Sequence, residues 1–114
     1  MKSYTDIEQS KKLAEILPIE SADMYYSMDI DLMEHESVPT IKEDDHFALL
    51  FLSDVPCWSL AALLSALPYP SLHKTFLGWR CDSYNKEGTT CKIGNDKDNP
   101  IDACVAMIEK LHNL

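Results

Sequence analysis

The sequence is poor in positive charge. It carries 10 Lys plus Arg against 19 Asp plus Glu in 114 residues, which gives a formal net charge of -9 at pH 7. A protein of that sign repels phosphate backbones and anionic lipid headgroups. The composition therefore disfavours direct nucleic-acid binding and gives no reason to expect a membrane partner.

Long apolar segments and targeting signals are also missing. The longest apolar runs, residues 47–52 and 60–64, are too short to span a bilayer. The first six residues turn polar at once and contain neither the apolar segment nor the cleavage site of a signal peptide. We therefore expect a cytoplasmic protein.

No two cysteines have the Cys-x-x-Cys spacing that is typical of zinc sites and redox motifs. In the absence of a secretory signal, reduced thiols that pack as small apolar groups are expected at all four positions. The four are Cys57, Cys81, Cys91 and Cys104.

Metal and cofactor motifs are lacking as well. A zinc site could in principle collect four of the soft ligands, but their spacing matches no known arrangement. Those four are Cys81, Cys91, His73 and His112. The acidic segments at 29–31 and 95–98 lack the loop glycine and the terminal Glu of an EF-hand. We predict no metal site and no cofactor.

The chain is long enough for one domain with a core of its own. A hydrophobic fraction of 46% and a charged fraction of 25% are ordinary for a globular protein. No repeat, linker or low-complexity segment divides the sequence. We therefore expect residues 1–114 to form a single domain.

Three segments have the pattern of helices. A capping box at Thr5-Asp6-Ile7-Glu8 begins the first, which ends before Pro18. The second spans 57–67, has almost no polar face and is expected to be buried, with Trp58 and Leu64 in the core. The third begins with Asn99 as N-cap and Pro100 at the first helical position, and an apolar stripe follows.

Strand patterns fill the remainder. Residues 22–32 alternate between apolar and polar, 47–52 read as a central strand, and the acidic connection 34–46 has room for a short edge strand at 38–41. Residues 75–93 predict a hairpin with its turn at 84–88, which would place Cys81 opposite Cys91. Together these patterns predict an α+β fold: a mostly antiparallel sheet of four or five strands with about three helices packed on one face.

Cys57 is the sharpest catalytic candidate. It stands at the predicted start of the second helix, where the macrodipole lowers a thiol pKa, and Cys-Trp-Ser-Leu-Ala-Ala superficially resembles the nucleophile helix of papain-like cysteine proteases. His73 is the candidate base. Against this, the chain is about half the usual length of that fold, and no second motif supplies a His with an orienting Asn or Asp. We favour a packed thiol, with a Cys57/His73 hydrolase as the alternative.

Acidity itself suggests a further alternative. A surface that imitates a phosphate backbone would let the protein inhibit a DNA-binding protein, whereas the simpler interpretation is a solvated, solubilising face. The acidic residues concerned are Asp29, Asp31, Glu34, Glu36, Glu43, Asp44 and Asp45.

Two segments resemble short uncharacterised proteins of gut anaerobes, which often occur in prophages and other mobile elements. They are Trp-Ser-Leu-x-x-Leu-Leu-x-x-Leu-Pro at 58–68 and Asn-Pro-Ile-Asp-Ala at 99–103. The resemblance implies an accessory protein and carries over no catalytic or binding residue. We therefore expect a small cytoplasmic protein that is not an enzyme and that acts by contact with another protein.

Overall fold

The computed structural model describes residues 2–26, 40–41 and 55–112. Within them the fold is α+β, with three α-helices and antiparallel strands. The helices are α1 (Ile7–Ala14), α2 (Leu60–Ala66) and α3 (Pro100–Leu111), and a single 3-10 turn covers Ile19–Ser21. The strands are β1 (Met24–Tyr26), β2 (Thr40–Ile41), β3 (Val55–Cys57), β4 (Pro70–Thr75), β5 (Gly78–Tyr84) and β6 (Cys91–Lys92).

The described strands form two three-stranded antiparallel sheets, in the orders β2-β1-β3 and β4-β5-β6. The prediction of one sheet with four or five strands is therefore not confirmed. The chain leaves the first sheet after Cys57, passes through α2, and enters the second sheet at Pro68-Tyr69-Pro70. There Tyr69 adopts a φ of 43°, a left-handed conformation that is rare for a bulky residue and that turns the chain sharply.

The first sheet bears out part of the predicted strand pattern. β1 lies within the alternating segment, and β2, the outer strand of the sheet as far as the structure describes it, lies within the acidic connection. The remainder of the alternating segment, the rest of 34–46 and the predicted central strand at 47–52 lie outside the described residues.

Helix α1 begins one residue later than the predicted capping box. Asp6 is the N-cap: its carboxylate accepts from the Gln9 amide at 2.7 Å, and the Gln9 side chain accepts from the Asp6 amide at 3.1 Å. The Thr5 hydroxyl is buried instead, where it accepts from the Trp58 amide at 3.1 Å.

Helix α2 begins at Leu60, with Ser59 as its N-cap, so the prediction that it starts at Cys57 is wrong. The reason is strand pairing: Met24 of β1 lies opposite Cys57, which keeps that residue in extended backbone. Trp58 is confirmed as a core residue. On the helix, Leu63 is fully buried, whereas Leu64 is only partly buried.

Helix α3 confirms both its predicted cap and its apolar stripe. Asn99 accepts from the Asp102 amide at 2.9 Å, and Pro100 stands in the first turn. The helix packs across α2 and β5, and its buried side chains fill the centre of the larger core. They are Pro100, Ile101, Ala103, Cys104, Val105, Met107 and Ile108.

The second sheet differs from the predicted hairpin. The pattern missed β4, which pairs with β5 through a two-residue turn at Phe76 and Leu77. Cys91 of β6 lies opposite Tyr84, so the predicted Cys81–Cys91 pairing is wrong. Beyond β6 the chain stays beside β5, because the amides and carbonyls of Trp79 and Lys97 bond in both directions at 2.7 and 2.8 Å.

The described parts of the chain contain no helix that is long and apolar enough to cross a membrane.

A polar network joins the first residues of the chain to the start of α3. Lys2 Nζ lies 3.0 Å from Asp102 Oδ1, and Gln9 Nε2 donates to the same oxygen at 2.8 Å. Burial of the Asp102 carboxyl opposes its ionisation, but these donors together with Asn99 hold its pKa below the ordinary value.

Replacement of Leu63 by Ala should lower the free energy of unfolding by about 2 to 5 kcal/mol, because it removes a fully buried side chain and leaves a cavity. Leu64→Ala is the matched control on the same helix and should cost clearly less, since Leu64 is only partly buried. Urea denaturation of both variants measures this. An equal or larger loss for Leu64→Ala would contradict the placement of α2.

Asp102→Asn should destabilise the protein more at pH 7 than in acid. An aspartate whose pKa falls on folding stabilises the native state above its unfolded pKa, and this contribution is lost as the pH drops through the folded pKa. Denaturation curves at pH 7 and at stepwise lower pH should show the gap between wild type and variant closing. A gap that stays constant with pH would contradict the network; Asp98→Asn, at an exposed position before α3, is the control.

Candidate functional site

Cys57 is in the wrong place for an activated nucleophile. It lies on β3, fully buried, and its Sγ accepts from Thr5 Oγ1 at 3.5 Å and donates to the Thr5 carbonyl at 3.4 Å. Burial raises the pKa of this thiol. The helix that was expected to lower the pKa begins only at Leu60. Cys57 therefore packs as a structural thiol beside Tyr26 and Val55.

His73, the candidate base, belongs to the other sheet. It lies on β4, and its Nε2 is 4.0 Å from Asp82 Oδ2. The structure therefore does not place His73 with the Cys57 thiol, whose hydrogen bonds run to Thr5. The two residues of the alternative hydrolase are held by different partners in different sheets.

Asp82 is a buried carboxylate that the sequence analysis missed. It accepts from the Gly94 amide at 3.0 Å through Oδ1 and from Arg80 Nη2 at 3.3 Å through Oδ2. Arg80 Nε lies 3.2 Å from Oδ1 in a geometry that makes an ion pair rather than a hydrogen bond. A signal was present, because Arg80 and Asp82 stand two apart on a strand and so share a face. The carboxylate fastens the segment after β6 to β5, which is a structural task.

The four residues of the hypothetical zinc site are not grouped together in the structure. Cys81 is buried in the core, whereas Cys91 is exposed on β6. His73 faces Asp82, and His112 Nδ1 lies 2.9 Å from the Ile108 carbonyl at the end of α3. In the part of the chain that the structure describes, no three His, Cys, Asp or Glu side chains are grouped so that they could hold a metal ion.

The acidic segments have separate outcomes. Residues 95–98 form the loop that leads into the cap of α3, and Asp96 Oδ1 accepts from the Thr75 hydroxyl at 2.6 Å. Of the acidic residues considered for mimicry of DNA, all seven lie outside the described residues. That hypothesis therefore stays a prediction.

Among the described residues, the large apolar side chains with the greatest exposure lie at the turn between β4 and β5, which we name the apolar tip and define as Phe76 and Leu77. Phe76 exposes 102% of its reference area and Leu77 exposes 74%. Two-residue hairpin turns ordinarily carry Gly, Asn or Asp, because these residues readily adopt the positive φ angles of the favoured turn types. Two bulky apolar side chains therefore stand where small or polar residues are usual, and they are the most exposed large apolar side chains in the part of the chain that the structure describes.

The apolar tip is held by the groups beneath it. The Thr75 hydroxyl accepts from the Leu77 amide at 3.2 Å and donates to Asp96. Gly78 follows with a φ of 142°, and a Cβ at this residue would lie 2.3 Å from the Lys97 carbonyl oxygen. Only glycine fits there, because both the backbone angle and the space exclude a side chain. The turn is therefore fixed on both sides of its two apolar residues.

No protein-family model, no curated protein and no solved structure matches this chain. The resemblance of residues 58–68 and 99–103 to short proteins of gut anaerobes consequently stays a prediction.

Alkylation of the native protein should reach Cys91 first. Iodoacetamide at neutral pH, followed by peptide mass mapping, should modify the exposed Cys91 quickly and the three buried thiols only after denaturation. The His73→Ala variant should leave this order unchanged, since His73 faces Asp82. Rapid labelling of Cys57 in the native state that slows in His73→Ala would instead support the hydrolase.

Proposed function

We propose that the chain is a small, non-catalytic accessory protein that acts by contact with another protein, and that the apolar tip is its contact element. The observation that carries the proposal is the exposure of Phe76 and Leu77, at 102% and 74%, on a turn whose backbone is fixed by Thr75 and Gly78. Aromatic side chains at the centre of an interface commonly supply most of its binding energy.

The energetics favour such a tip over a flexible loop. Burial of a side chain the size of Phe or Leu is worth roughly 1.5 to 3 kcal/mol each. A turn that already holds its bound conformation avoids part of the ordering cost of association. Two residues can therefore anchor a contact whose remaining area adds shape complementarity.

The surroundings of the catalytic candidates support a non-catalytic role. The raised pKa of Cys57 keeps it a neutral thiol at physiological pH, and a neutral thiol is a poor nucleophile. His73 Nε2 lies 4.0 Å from Asp82 Oδ2, and His73 belongs to a different sheet from Cys57.

A cytoplasmic location is part of the same proposal. All four cysteines are free thiols, and three of them are buried. Free thiols are the usual state in a reducing compartment, whereas small secreted domains tend to use their cysteines in disulfides.

The double variant Phe76→Ser/Leu77→Ser should keep the stability of the wild type and lose its partner. Both side chains are exposed, so the melting temperature should change by no more than a degree or two. The matched control is Ile93→Ser, which removes an apolar side chain that is 57% exposed at another place. Affinity capture from lysate of the source organism should yield a protein bound by wild type and by the control but not by the double variant.

A photo-crosslinking residue at position 76 tests the same contact directly. It should yield a discrete adduct, and the same residue at Tyr69, an exposed aromatic position away from the tip, should not. Capture that is equal for wild type and the double variant, or adducts that are equal at both positions, would overturn the assignment of the tip.

A further inference from the structure

An open cavity lies at the end of the second sheet that is opposite to the apolar tip. Pro70 pairs with Ser83 at this end of the β4–β5 hairpin, whereas Thr75 pairs with Gly78 beside the tip. The cavity has a volume of about 340 Å³, and its lining comes from the end of β5, from β6 and from the last turn of α3. This volume lies at the lower end of the range of small-molecule sites.

The walls of the cavity are mostly apolar and are held in place by hydrogen bonds. The Ser83 hydroxyl donates to the Pro68 carbonyl at 2.6 Å, and Lys110 Nζ donates to the Ile93 carbonyl at 2.7 Å. These bonds tie the link before β4 and the end of α3 to the second sheet. A wall that is already in place avoids part of the ordering cost of ligand binding. The apolar lining residues include Pro68, Tyr84 and Leu111.

Lys92 gives the cavity its charge. No acidic side chain among the described residues lines it, although the chain carries 19 Asp plus Glu. Within the described part of the chain, the Lys92 ammonium has no hydrogen bond and no ion pair. The cleft between α1 and α3 differs, because residues of both signs line it and Lys12 Nζ lies 3.4 Å from Glu109 Oε1. An apolar surface beside an unpaired cation complements a ligand that joins an apolar group to a negative charge.

We propose that this cavity binds a small apolar carboxylic acid in its ionised form. The hydrocarbon part of the ligand contacts the apolar wall, and the carboxylate pairs with the Lys92 ammonium. Apolar burial supplies the affinity, and the ion pair selects an acid over the matching amide or amine. The proposal goes beyond the contact function and does not depend on it, because the cavity and the apolar tip lie at opposite ends of the hairpin.

Cys91 reports whether the cavity is occupied. It is exposed and lines the same cavity, whereas the other three cysteines are buried. Alkylation of the native protein by iodoacetamide therefore measures access to this one position. At about ten times its dissociation constant, a ligand in the cavity should slow the alkylation of Cys91 about tenfold, because only the unoccupied protein reacts.

The test titrates the full chain with hexanoate, and with hexanamide, hexylamine and acetate as matched probes. Amide NMR spectra and the alkylation rate of Cys91 are recorded on the same samples. We expect a dissociation constant on the order of 1 mM for hexanoate and about two- to fivefold weaker binding of hexanamide. Hexylamine and acetate should not saturate. The amide signals that shift should be those of residues 83–85 and 90–92, while those of Phe76 and Leu77 stay unchanged.

Two charge-reversal variants separate the role of Lys92 from the effect of net charge. Lys92→Glu should weaken hexanoate binding at least about fivefold. Lys86→Glu is the matched control, because it makes the same change in net charge at an exposed position that does not line the cavity, and it should leave binding within about twofold. Both lysines are exposed, so both variants should keep the melting temperature of the wild type.

The variant Phe76→Ser/Leu77→Ser should bind hexanoate as the wild type does, which keeps a failure of this proposal distinct from a failure of the contact function. Equal affinity for hexanoate, hexanamide and hexylamine, or an equal loss in the two charge variants, would overturn the pairing of the carboxylate with Lys92. The cavity would be ruled out as the ligand site if hexanoate at about ten times the expected dissociation constant neither shifted the signals of residues 83–85 and 90–92 nor slowed the alkylation of Cys91.

Discussion

The buried residue Thr5 makes the hydrogen bonds on which the first sheet and helix α1 both depend. It accepts from the Trp58 amide at 3.1 Å and shares a hydrogen bond with Ser10 Oγ at 2.8 Å. The backbone of the same residue bonds the Trp58 carbonyl at 3.0 Å and accepts from the Tyr26 hydroxyl at 2.7 Å. A buried polar group without partners is costly, so these bonds fix α1, β1 and β3 in one arrangement. They also enclose Cys57, which is why its thiol is structural.

Polar side chains also hold the second sheet together, but its β4–β5 turn carries exposed apolar residues. Asp82 fastens the segment after β6 to β5, and Thr75 fastens the turn to the loop before α3 through Asp96. The hairpin is thereby held at its base and just beneath its turn. The hairpin exposes Phe76 and Leu77 to solvent at its turn. Hydrogen-bonded polar groups therefore hold two apolar side chains at the surface. That contrast is the physical basis of the proposed contact function.

Local signals predicted the parts of the fold that depend on few neighbours. The cap at Asn99 and Pro100 and the apolar stripe of α3 were predictable, because both depend only on the residues of the helix itself and on those directly before it. The start of α2 was not, because Cys57 pairs with Met24 of β1, a strand remote in sequence, and so continues the extended backbone of Val55–Cys57. The expected partner of Cys81 was wrong because the pattern missed β4: Cys81 lies opposite Leu72 of that strand, and Cys91 lies opposite Tyr84.

The candidate site was the least predictable part. Lys74-Thr75-Phe76-Leu77-Gly78 carries no Asn-Gly or Asp-Gly signal, so the pattern places Phe76 and Leu77 within the first strand of the predicted hairpin. The turn becomes visible only when Gly78 is seen against the Lys97 backbone and Thr75 against Asp96. Both partners come from the loop before α3, which no pattern within the hairpin itself could reveal.

The central claim, that the apolar tip is a rigid contact element, is tested most directly by backbone amide NMR relaxation in the free protein. The account predicts order parameters for Phe76 and Leu77 near those of the flanking strands, at about 0.85. Values below about 0.6 at these two residues, with ordered strands on either side, would show a flexible loop and would contradict the account.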